Sequence, residues 1–181
     1  MNLLAEHLRQ ANQAVTTTRE PGGTSLGETV RRVILAKQEA DLSFLSELSL
    51  FISCRAQLSV EVIEPALKAG DTVLSSRYRL SSLAYQGYGR GLDLALIDRL
   101  NEIATHGRQP DITFLIDLPA SKALERRGRS SDRIEQEDSA FYNRVRTGYL
   151  ELTKGDPRVH LIDGEGSIDS IARVVRDILG V

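Results

Sequence analysis

The sequence predicts an α/β protein, a parallel sheet flanked by helices, from three observations. Helical and strand periodicities alternate along the 181 residues. Glycines and prolines punctuate them, with Pro21-Gly22-Gly23 and Gly70 as clear stops. Ile112 to Ile116 is an almost unbroken apolar run, as in a strand covered on both faces. Such alternation builds right-handed βαβ units, whose ligands bind where the strands end at the carboxyl edge.

Each element follows from its pattern. Leu3, Leu4, Leu8 and Ala11 predict a short helix over 3–14. Ala14 to Thr18, rich in β-branched residues, predicts a strand ending at the Pro-Gly-Gly turn. Ser25 and Glu28 have capping-box spacing, and Val30, Val33 and Ile34 then share a helical face. A longer helical pattern runs over 43–69, with Pro65 expected to kink it because it cannot donate to residue i−4. Thr72 to Ser75 is the next strand. Leu96, Ile97, Leu100, Ile103 and Ala104 form a helical stripe, and helices follow over 120–127 and 139–152. Val159 to Ile162 is the last strand, before a terminal helix through Ile171, Val174, Val175, Ile178 and Leu179. No repeat or linker divides the chain, so a single domain over 1–181 is expected.

Composition excludes several classes. With 41% hydrophobic and 27% charged residues, the chain is not of disordered type. A formal net charge of −2 gives no general pull towards nucleic acid or acidic membranes. The one cysteine, Cys54, cannot form an internal disulfide, which points to a reducing compartment. No apolar run approaches a membrane span, and the first residues lack the order of a signal peptide. A cytoplasmic globular protein is expected.

Four segments carry chemistry. Thr18-Arg19-Glu20-Pro21-Gly22-Gly23-Thr24 joins a strand to a helix; its glycines admit a ligand close to the backbone and Arg19 offers a fork for phosphate, or it is a plain turn with a solvated arginine. Arg77 follows a strand end and points into the crevice, and Gly87-Tyr88-Gly89-Arg90-Gly91 reads as a flexible loop rich in donors or an ordinary surface loop. Phe51 and Arg55, four residues apart, share a helix face: a plate and a fork for a base, or a core aromatic and a solvated arginine. Arg126, Arg127, Arg129 and Arg133 lie in a Gly/Ser-rich stretch that reads as a lid over polyphosphate or a solvated basic loop. His7, His106 and His160 have no metal-ligand spacing, so no protein metal site is expected, and nothing suggests a Ser/His/Asp or Cys/His hydrolase.

Together TREPGGT at 18–24, Arg77-Tyr78, SSLAYQGYGRG at 81–91, PDITFLID at 110–117 and DRIE at 132–135 resemble the thymidylate kinase family in order and spacing. The resemblance covers essentially the whole chain and implies a P-loop-kinase-like three-layer fold that phosphorylates dTMP to dTDP with ATP and Mg2+, usually as a homodimer. It implies that Phe51 stacks on thymine, that Arg55, Ser82 and Gln86 contact the base, and that Arg31 lies beside it. Tyr85 would pack under the sugar where a 2′-hydroxyl would clash, and Arg19 and Arg77 would hold the monophosphate. Arg126, Arg127, Arg129 and Arg133 would belong to a lid over ATP at 126–137.

Two departures from the family pattern stand out. The family opens with a strand and a GxxxxGK[ST] loop; no such run occurs in the sequence, whose first residues resemble the helix that follows the loop. The absent strand is expected to leave a gap between the strands at Thr16–Thr18 and Thr72–Ser75 or to force them to re-pair, and to give an unstable or partly unfolded chain. Ser76 stands where the family's motif has an aspartate serving magnesium. The functional expectation is a dTMP kinase; the alternatives are a non-catalytic thymidylate-binding relative and a kinase for another monophosphate, against which Phe51, Arg55 and Tyr85 argue.

Overall fold

β-Branched and apolar residues build the strands and amphipathic runs the helices in this computed structural model, which describes residues 1–36, 42–127 and 132–181. In chain order the elements are α1 (Asn2–Gln10), β1 (Val15–Arg19), α2 (Ser25–Leu35), α3 (Phe44–Leu58), a π-helical turn (Ser59–Ile63), α4 (Glu64–Lys68), β2 (Thr72–Ser76) and α5 (Arg79–Ser82). A second π-helical segment (Leu83–Gly89), α6 (Leu94–Ala104), β3 (Thr113–Asp117), α7 (Ala120–Arg127), α8 (Ser139–Thr153), β4 (Val159–Asp163) and α9 (Ile168–Leu179) follow.

The strands form two parallel ladders, β1 with β2 and β3 with β4. Register runs unbroken from Val15–Thr72 to Arg19–Ser76 and from Thr113–Val159 to Asp117–Asp163. Of the two outcomes expected there, a gap is corrected: the strands at Thr16–Thr18 and Thr72–Ser75 are direct hydrogen-bonded neighbours. Among the described residues the division lies between β2 and β3. Nor is the strand over Ile112–Ile116 covered on both faces, since Ile116 and, in the neighbouring β4, Leu161 are more than half exposed. One apolar layer nonetheless unites the ladders. Leu4 and Leu8 of α1, Ile162 of β4 and Val175 of α9 pack together, with Val15, Leu74 and Phe114 from the other strands against them. Such burial is the principal favourable term in folding.

Local chemistry moves several boundaries. Thr24, not Ser25, caps α2, its hydroxyl accepting from the Gly27 N–H at 2.9 Å. Glu28 instead accepts from Arg19 and from the Gly23 N–H. The long helix expected over 43–69 is unbroken from Phe44 to Lys68, with helical backbone at Leu58, Ser59, Ile63 and Glu64, and the π-helical turn just before Pro65 accommodates its missing N–H. The glycine-rich run after Arg77 is not a flexible loop. It is π-helical and packs against α8 because two glycines let the segments meet. A Cβ on Gly89 would lie 2.6 Å from Phe141 Cε2, and one on Gly148 would lie 2.6 Å from Tyr88 Cγ. Ala84, Phe141 and Val145 form the core of that contact, with Tyr85, Tyr142 and Tyr149 packed on it. No described helix is long and apolar enough to cross a membrane.

Candidate active site

The carboxyl ends of β1 and β2 open onto a cavity of about 330 Å3, within the usual size range for small-molecule sites. α2 contributes Arg31, α3 contributes Phe51 and Arg55, and Arg77, Ser82, Tyr85 and Gln86 come from the chain after β2. Asp132, Ile134 and Glu135 line it from the far side. Seven of the eight residues expected to bind substrate thus share one cavity.

Arg55 fills an unexpected position. It is 1% exposed, and all five of its N–H groups have protein partners. Nε and Nη2 donate to the Glu20 carboxylate, Nη1 to Ser82 Oγ at 2.9 Å and to Asn101 Oδ1, and Nη2 also to the Tyr78 carbonyl at 3.2 Å. Burial pushes the Glu20 carboxyl up, with the Arg55 charge and hydrogen bonds opposing. Arg55 is thus a pillar of the wall rather than a fork free to read a base edge. Because Ser82 Oγ accepts from it, the Ser82 proton is left to donate.

Arg77 adopts a left-handed backbone, φ +71°, uncommon for a residue with a Cβ and frequent at functional sites. Its guanidinium carbon lies 4.9 Å from the Tyr85 ring centroid, and Nη2 donates to the Tyr85 hydroxyl at 3.3 Å. Tyr85 is braced edge-on against Phe141 and Tyr149, with centroids 6.0 and 6.3 Å away. Arg31 donates from Nη1 to the Pro21 carbonyl at 3.0 Å.

The remaining predicted arginines lie elsewhere. Arg19 is outside the cavity lining and pairs with Glu28 at 2.8 Å, both about half exposed. The Gly23 N–H, with help from Arg19, holds the Glu28 carboxyl below its ordinary value against a smaller desolvation. Arg126 donates to the carbonyls of Gly164 and Glu165 at 2.6 and 2.9 Å, tying the end of α7 to the turn after β4. Arg133 donates to Glu47 Oε2 at 2.6 Å and to the Ile34 carbonyl at 3.2 Å. The Arg127 side chain and all of Arg129 lie outside the described residues.

Sequence reasoning missed Glu20, Glu47, Asn101 and Tyr142. Glu47 was within reach, standing four residues before Phe51 and eight before Arg55 on one face of α3. Asn101 offered no local signal. Cys54 is no nucleophile: burial, then the Glu20 charge, pushes its thiol up to about 11. Among the described residues no three His, Cys, Asp or Glu side chains converge on a metal position, and Ser76 brings only a neutral hydroxyl to the end of β2. The chain's described residues therefore do not form a magnesium cage.

The thymidylate kinase family model matches residues 1–175. A thymidylate kinase of a Sulfurihydrogenibium species is 39% identical over 180 residues, covering 99% of this chain and 88% of that protein. One from Desulforudis audaxviator is 47% identical over 156 residues, 86% of this chain and 71% of its own length. The crystal structure of thymidylate kinase from Ehrlichia chaffeensis superposes with a TM-score of 0.79 at 38% identity, covering 99% of this chain and 89% of that one.

Proposed function

Because the chain belongs to the thymidylate kinase family, we propose that its cavity binds dTMP and that the protein transfers the terminal phosphoryl group of ATP to it, giving dTDP for dTTP synthesis. One observation carries the reading: an aromatic plate, an amide, a hydroxyl, a tyrosine and an arginine converge on one nucleotide-sized hollow.

Phe51 stacks on thymine, Ser82 and Gln86 meet its polar edge, and Arg31 lies beside it. Arg55 supports the base indirectly, by holding Ser82. Tyr85 carries the sugar; wedged between Phe141 and Tyr149, it cannot yield to a 2′-hydroxyl. The acceptor phosphate oxygen is already ionised, so positioning and charge neutralisation do the work. Arg77 is the cation aimed at it. Arg19 joins by exchanging Glu28 for phosphate, a small cost because exposed ion pairs contribute little. No GxxxxGK[ST] run occurs in the 181 residues, so the charge that they bring to the donor side is arginine charge. Arg126, Arg127, Arg129 and Arg133 belong to the lid, over about 126–137, that covers ATP. A magnesium ion would neutralise phosphate charge, but the described residues offer it no cage.

The protein is expected to work in the cytoplasm as a homodimer. Exposed Leu45, Val60 and Ile103 on α3, the first π-helical turn and α6 suit a helical interface; sedimentation as a monomer would contradict it. The test of function is incubation with ATP and dTMP, with dTDP resolved by chromatography. Formation of dTDP, with little product from CMP or GMP, is expected. Binding of dTMP without dTDP formation would remove the transfer step, and no binding would remove the site assignment.

A further inference from the structure

We propose that Glu47 is a positioning residue that fixes the Gln86 amide with its carbonyl oxygen towards the cavity, so that the site selects a pyrimidine with a ring N–H over one whose ring nitrogen is an acceptor. This rests on the reading of the cavity as a thymidylate site.

Glu47 is 1% exposed, in α3, one helical turn before Phe51. Its carboxylate collects donors from three side chains. Gln86 Nε2 donates to Oε1 at 2.8 Å, Arg90 donates through Nε and Nη2 at 3.3 and 3.2 Å, and Arg133 Nη2 donates to Oε2 at 2.6 Å. Burial alone would raise this carboxyl, but the bonds from Gln86, Arg90 and Arg133 outweigh it and hold it below its ordinary value. An ionised carboxylate accepts and never donates. The Gln86 edge that meets it is therefore the NH2 edge, which turns the amide oxygen away from Glu47 and leaves it to accept elsewhere.

Gln86 lines the cavity, and among the described residues its Oε1 accepts no protein hydrogen bond. Ser82, beside it in the lining, accepts from Arg55 Nη1 and keeps its proton to donate. The wall thus presents an acceptor set by the buried Glu47 charge, beside a hydroxyl with a proton to give. Thymine answers with a ring N3–H and an exocyclic oxygen. Cytosine brings a ring lone pair in place of the N–H and leaves the Gln86 oxygen facing another acceptor. Sites built to bond a particular N–H discriminate strongly because the wrong partner leaves buried polar groups unmatched.

Glu47 does a second thing with the same oxygens. Arg133 also donates to the Ile34 carbonyl, and Arg90 Nη1 reaches Glu137 at 2.5 Å. The segment carrying Ile134 and Glu135, which closes the cavity, is thereby held to the helix that carries Phe51.

The experiment is calorimetric binding of dTMP and dCMP to the full chain, as wild type and as Glu47→Gln. A neutral amide at 47 can face Gln86 with either edge, so the Gln86 orientation is released. The dTMP:dCMP affinity ratio is expected to fall tenfold or more in the variant. A merely structural role would weaken both ligands together, and an unchanged ratio in a folded variant overturns the proposal. Equal affinity of the wild type for both ligands overturns it while leaving the thymidylate cavity in place. No wild-type binding of dTMP removes the cavity assignment and this inference with it. Should Glu47→Gln lose the wild-type circular dichroism, the Gln86 side-chain NH2 resonances of 15N-labelled wild type decide. Slow exchange and little shift on adding dTMP support the assignment; a large shift, with the NH2 turned to the base, refutes it.

Discussion

Replacing Phe51 by alanine is expected to weaken dTMP binding ten- to a hundredfold with the fold intact. Base–aromatic stacking contributes on the order of 1–3 kcal/mol per base, and a factor of ten in affinity corresponds to about 1.4 kcal/mol. Phe51 is half-buried at the cavity wall, so its removal opens the binding surface rather than the core. Phe141→Ala is the contrasting variant. Phe141 is 2% exposed, packed on Tyr85 and Tyr142 and beneath the Arg90 guanidinium. Its truncation costs about 3–5 kcal/mol of stability and reaches the ligand only indirectly, through Tyr85 and Tyr142. Calorimetric titration beside thermal melts separates the two. Unchanged dTMP affinity in Phe51→Ala would remove the stacking assignment.

Arg55→Met carries the second large effect, on stability. Glu20 is 5% exposed and its partner is Arg55, itself 1% exposed. Removing one member of a buried ion pair leaves an uncompensated charge and typically costs about 3–5 kcal/mol, whereas replacing both is far milder. Ser82, Asn101 and the Tyr78 carbonyl lose a donor at the same time. Urea unfolding is expected to show that loss in Arg55→Met and substantial recovery in Glu20→Gln/Arg55→Met. A single variant within about 1 kcal/mol of wild type would show that the buried pair does not support the wall.

Those two residues also show how far the sequence could be read. Spacing alone put Phe51 and Arg55 on one helix face, and the structure brings both to the cavity. It could not say that the Arg55 donors are taken, because Glu20, Ser82 and Asn101 lie 35, 27 and 46 residues away. Periodicity placed β1 to β4 and the helices beside them, since apolar repeats report local geometry. Strand order is a long-range property, and there a gap and a re-pairing both stood open: β1 and β2 are neighbours, and among the described residues the division lies beyond β2. The glycine-rich run after Arg77 was misjudged for a related reason. Glycine marks either freedom or close approach, and only Phe141 and Tyr88, packed at Gly89 and Gly148, decide for the latter. The lid arginines were legible as charge but not as geometry. Arg126 and Arg133 are bonded to backbone carbonyls and Glu47 instead of facing the cavity.

The most direct measurement is a crystal structure of the protein grown with dTMP. The account predicts the thymine ring stacked on Phe51 at about 3.5 Å, the Gln86 oxygen on the ring N–H, and the phosphate at Arg77. A nucleotide bound elsewhere, or one in this cavity with its base turned away from Phe51, would contradict it.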